Sequence, residues 1–73
     1  MNLLTIQKLN DGSIARSFLY YETEELALSA LYFTMSSSLA DANVNDVICI
    51  LINDYGRQVK FEQWTREPEE ISE

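Results

Sequence analysis

Apolar and polar residues alternate in short stretches on both sides of one longer segment whose apolar residues recur every three or four positions. From Leu3 to Leu9, Leu4 and Ile6 share one face, and Leu3, Thr5, Gln7 and Leu9 share the other. This period of two predicts a strand. Asn10-Asp11-Gly12-Ser13 follows, and Asp-Gly between apolar stretches signals a hairpin, because glycine takes the positive φ the turn requires. The return strand is expected at Ser13 to Tyr21. Ile14, Phe18 and Tyr20 share a face with Arg16, while Ala15, Ser17, Leu19 and Tyr21 lie opposite. Apolar groups on both faces predict a central strand.

Thr23 reads as a helix N-cap, with Glu24 and Glu25 at the end of the helix dipole that favours acids. The helix is expected from Glu24 to about Leu39. Leu28, Leu31, Met35 and Leu39, with Tyr32 beside them, form the stripe expected to lie on the sheet. Ser36-Ser37-Ser38 weakens the helix toward its end. Leu26 and Phe33, seven residues apart, share a face pointing away from that stripe, flanked by Ala30 and Ser37. After a polar connection at Ala40 to Asp46, the unbroken run Val47 to Ile52 reads as a central strand or one covered on both faces. Asn53-Asp54-Tyr55-Gly56 turns the chain. A last strand at Arg57 to about Thr65 is expected to place Val59 and Phe61 inward and Gln58, Lys60, Glu62 and Trp64 outward.

The fold class is therefore α+β: ββαββ, a four-stranded antiparallel sheet of two hairpins with one helix packed across a face. Strand order cannot be read from these patterns. A chain of 73 residues is one domain, and it buries only roughly 60–65% of its unfolded surface. The domain is expected at residues 1–66. Residues 67–73 are expected to be a disordered acidic tail, with too few apolar groups to offset the entropy of ordering.

The net charge of −7 is less informative than it looks. The tail takes four of the twelve acids and none of the five bases, leaving eight acids against five bases, or −3, on the body. Lys8, Arg16, Arg57, Lys60 and Arg66 are scattered among acids, so direct nucleic-acid binding, which needs clustered cations, is not expected. The opening residues lack the basic flank and apolar run of a secretory signal. The run Val47–Ile52 is too short to span a membrane. With a single cysteine, these features lead to an expectation of a cytoplasmic protein.

Candidate chemistry is sparse. Asp41 to Asp46 places oxygen side chains at alternating positions, as a calcium loop does. That loop also needs glycine sixth and glutamate twelfth, where this chain has Asp46 and Ile52. Turn chemistry is the simpler reading. Cys49 stands in an apolar run in a chain without histidine, so it lacks the usual partner base and reads as a buried, inert thiol. The same composition argues against zinc. Glu24 and Glu25 are explained by the helix start, and both glycines lie in turns, so no phosphate loop is available.

No metal, no cofactor and no enzymatic activity are expected. Tyr20, Tyr21, Tyr32, Tyr55 and Trp64 lack the positive groove that single-stranded nucleic acid requires and read as sheet packing or a protein interface. The functional expectation is a small protein-interaction or accessory domain whose partner is another protein or a second copy of itself. Leu26, Phe33 and Trp64 are the candidate interface residues. Two other readings are an acidic decoy for a basic nucleic-acid-binding protein, motivated by the tail, and a small-molecule binder.

Overall fold

The structure, a computed structural model, describes residues 1–66, so the acidic tail expected at 67–73 lies outside the described residues. The elements in order are β1 (Asn2–Leu9), β2 (Ile14–Tyr20), α1 (Glu24–Ala40), β3 (Val44–Ile52) and β4 (Gln58–Thr65). The strands form one antiparallel sheet in the order β2-β1-β3-β4, with α1 across one face, an α+β ββαββ arrangement. Each hairpin contributes one inner and one outer strand, and the hairpins join through β1 and β3.

The two turns are built alike. Gly12 N–H donates to Leu9 O at 3.0 Å and Leu9 N–H to Ser13 O at 2.9 Å; Gly56 to Asn53 and Asn53 to Arg57 repeat this at 3.0 and 2.9 Å. Gly12 and Gly56 carry φ of +89° and +86°, the left-handed residue that ends this kind of three-residue loop. A side-chain oxygen fastens each turn. Asp11 Oδ1 accepts from the Ser13 backbone and hydroxyl, and Asn53 Oδ1 accepts from Tyr55 N–H and Arg57 N–H. The Ser13 hydrogen bonds, side chain first, hold the Asp11 carboxyl below its ordinary range. Thr23 Oγ1 caps the helix by accepting from Leu26 N–H at 3.2 Å.

The core lies between α1 and the two inner strands. Leu3 from β1, Val47, Cys49 and Leu51 from β3, and Ala27 and Leu31 from α1 are buried, and Val44 closes one end. β3 therefore starts at Val44, within what reads as a polar connection in the sequence, because that valine is drawn into the core.

Three expectations about faces are corrected. First, β2 is an outer strand, not a central one, and all seven of its residues are exposed. Its apolar groups on two faces do not reflect two covering layers. Second, the faces of β4 are reversed. Lys60, Glu62 and Trp64 stand opposite Leu51, Cys49 and Val47 on the helix side, while Phe61 stands opposite Ile50 on the other side. The lone tryptophan is anchored against the core, and this phase overrides the alternation of charge.

Third, the buried line of α1 runs through Ala27, Leu31 and Ser38. Leu28 and Met35 are only partly buried, and Tyr32 and Leu39 are exposed. At 100° per residue the helix is turned by roughly a fifth of a turn from the expected stripe. Small Ala27 and Ser38 let it approach the sheet closely, and Gln7 Nε2 donates to Ser38 Oγ at 2.8 Å, which fixes that rotation. The triple-serine stretch thus stays helical, with Ser38 as a buried anchor.

Arg66, just past β4, ties the far end together. Its Nε donates to Val44 O at 3.1 Å and its Nη2 to Asp41 O at 2.9 Å, and its guanidinium lies 4.8 Å from the Trp64 ring centroid. This joins β4 to the connection between α1 and β3. Replacing both charged hydrogen bonds and the stacking, Arg66→Ala is expected to lower stability by about 1–3 kcal/mol in urea unfolding. Arg66→Lys should recover only part of that, because an ammonium lacks the planar fork.

Candidate protein interface

Pairing in the sheet determines which side chains share the face that α1 does not cover. One row across all four strands is Phe18, Leu4, Ile50 and Phe61. The next toward the β1–β2 turn is Arg16, Ile6, Ile48 and Gln63; on the other side lie Tyr20, Asn2 and Ile52. Only the row Ile14, Lys8, Asp46 and Thr65 is mainly polar. Side chains in the inner strands of this face are half-buried by their neighbours alone, whereas Phe18 is 60% and Tyr20 61% exposed. With strands ~4.8 Å apart and residues rising ~3.3 Å, these first three rows span roughly 300–400 Å² in projection, of which apolar side chains hold about two thirds. An apolar row of this kind on the face without a helix is a candidate contact surface.

The helix side is asymmetric. Over β4 it is polar and knitted together: Lys60 Nζ lies 5.7 Å from the Tyr32 ring centroid and 3.4 Å from Glu62 Oε2. The Tyr32 hydroxyl, then the Glu62 carboxylate, hold the Lys60 ammonium above its ordinary value. On the opposite flank of α1, turned toward β2, Leu26 and Phe33 are 55% and 73% exposed. Leu19 of β2 is also exposed, on the same side of the sheet as buried Leu3.

Of the three residues singled out in the sequence, Leu26 and Phe33 share one bare flank. Trp64 lies on the β4 side, half-buried under Arg66, and does not join them. The sheet face itself, with Phe18, Tyr20, Ile50 and Phe61, does not stand out in the sequence pattern. Its signal was present as an excess: β2 and β3 both carried apolar groups for two faces, and one helix can cover only one.

The remaining candidates are occupied by structural bonds. Cys49 is buried with its Sγ 3.9 Å from Thr5 Oγ1, and burial pushes the thiol above its ordinary pKa, away from the reactive thiolate. Asp41 Oδ1 accepts from Asn43 N–H at 2.9 Å, an Asx turn. A shallow depression lined by Leu9, Asn10, Asp11 and Asn43 consists of turn groups. Asn10 already bonds Ala42 O and Asn43 O, and Asp11 already bonds Ser13. Among the described residues, no helix is long and apolar enough to cross a membrane. No protein-family model, curated protein or solved structure gives a significant match to this chain.

The two faces of the sheet should respond differently to truncation. Leu51→Ala, which empties the core, is expected to cost about 2–5 kcal/mol in urea unfolding. Phe18→Ala on the uncovered face should fall within about 0.5 kcal/mol of the parent.

Proposed function

We propose that this chain is a non-catalytic protein-interaction domain that docks an apolar protein surface on the sheet face opposite α1. One observation carries the reading: the row Phe18, Leu4, Ile50 and Phe61 crosses the whole sheet on the side without the helix, with aromatic rings at both ends. Aromatic anchors with aliphatic groups between them are the composition of an interface centre, and a polar margin such as Lys8, Asp46 and Thr65 is that of a rim. Charges on this face are mixed, with Lys8 and Arg16 beside Asp46, so apolar burial supplies the affinity and the charges orient the partner.

A photocrosslinking pair tests this. Phe61→benzoylphenylalanine should give a discrete heavier adduct with another protein in the cells that make the chain. Tyr55→benzoylphenylalanine, in the β3–β4 turn and 95% exposed, should not. Against the captured partner, Phe61→Glu is expected to weaken binding by at least about tenfold. Equal adducts at both positions, or none at position 61, contradict the reading.

A further inference from the structure

The outer edge of β2 has not been assigned a role, and its backbone is open. Leu9 N–H donates to Ser13 O at 2.9 Å and Tyr21 N–H to Met1 O at 2.7 Å. These bonds fix the alternation of the ladder: Ala15, Ser17 and Leu19 exchange hydrogen bonds with Gln7, Thr5 and Leu3. The N–H and C=O of Ile14, Arg16, Phe18 and Tyr20 therefore point outward from the sheet. Outer strands normally guard such a row with charges, proline or a bulge. β4 does so with Lys60 and Glu62, whereas β2 carries one charge, Arg16, in a regular strand.

We infer that two copies of this chain pair β2 with β2 in antiparallel fashion, joining their sheets into one of eight strands. The register centred on Ser17 satisfies the edge completely. It sets Ile14 opposite Tyr20 and Arg16 opposite Phe18, so the four outward N–H groups of each copy meet four outward C=O groups of the other. Ala15 then faces Leu19, and the two Ser17 side chains meet on the two-fold axis. Apart from the Ser17 pair, each pair matches an aliphatic group with an aromatic or aliphatic one, or a cation with a ring face. A shift of two residues one way places Arg16 against Arg16. A shift the other way pushes Ile14 past the end of the partner strand and leaves its N–H unpaired.

The rest of the fold leaves room for this pairing. Because α1 lies over β3 and, to a lesser degree, β1, the helix side of β2 is clear. A two-fold axis perpendicular to the sheet puts both helices on one side with the two β2 strands between them. The Leu26 and Phe33 flanks then face each other across that gap. The inference goes beyond the docking proposal, since it uses the free edge rather than the uncovered face.

Sedimentation of the full chain at tens of micromolar should show a dimer. Arg16→Pro removes an outward N–H and no bond to β1, so it should weaken dimerisation by at least about tenfold while the circular dichroism stays unchanged. Phe61→Glu should leave the dimer intact, which separates this test from that of the docking face. Should Arg16→Pro fail to fold, cysteine crosslinking decides. Ser17→Cys places two sulfurs at a non-hydrogen-bonded pair close enough for an interchain disulfide, and Ala15→Cys does not. A monomeric parent overturns the inference and leaves the edge to a foreign strand; so does crosslinking of equal yield at positions 15 and 17.

Discussion

A single helix with its side chains is about 10–12 Å across, and strands lie ~4.8 Å apart, so one helix covers about two strands. The described residues hold four strands and one helix, and the consequences of that mismatch run through the whole structure. The helix settles over β1 and β3, where Leu3, Val47, Cys49 and Leu51 meet Ala27 and Leu31. What it cannot reach must be handled otherwise. On the β4 side, Tyr32, Lys60, Glu62, Trp64 and Arg66 extend the cover with long amphipathic side chains whose polar ends find partners. On the β2 side no such extension exists among the described residues, and all seven residues of the strand are exposed.

The core is small, and its position depends on a few polar contacts as much as on apolar volume. Gln7 and Ser38 set the rotation of α1. Thr23 fixes its start, and Arg66 binds the connection that follows it. Together these contacts seat the helix over β3 and, to a lesser degree, β1, and so decide which part of the helix-side surface stays open. Leu26 and Phe33 are exposed for that reason and not because the helix is loosely attached. The uncovered sheet face has a different origin: no described element lies beyond it, and its half-buried isoleucines are sheltered only by one another.

Much of this could be read in the sequence. Asn10-Asp11-Gly12 and Asn53-Asp54-Tyr55-Gly56 marked both hairpins, because positive φ at glycine and side-chain caps by Asp11 and Asn53 are local effects. Thr23 marked the helix start for the same reason. The bare flank at Leu26 and Phe33 followed from helical spacing. Strand order, by contrast, is a long-range choice, and the apolar content of β2 pointed to the sheet centre when the strand is in fact an edge. Trp64 was placed on the wrong face because alternation gives the relative phase of neighbours, whereas the absolute phase is set by pairing with Val47. The rotation of α1 depended on a glutamine–serine bond that no periodicity reveals.

β3 displays a dry face and a wet face of the sheet in a single strand. Solvent paramagnetic relaxation of methyl groups, measured on the isolated protein, tests this most directly. Strong enhancement is expected at Ile48, Ile50 and Ile52 and little at Val47 and Leu51, an alternation along the strand. Ile50 as protected as Leu51 would contradict it, because some other part of the chain would then cover the face assigned here to a partner.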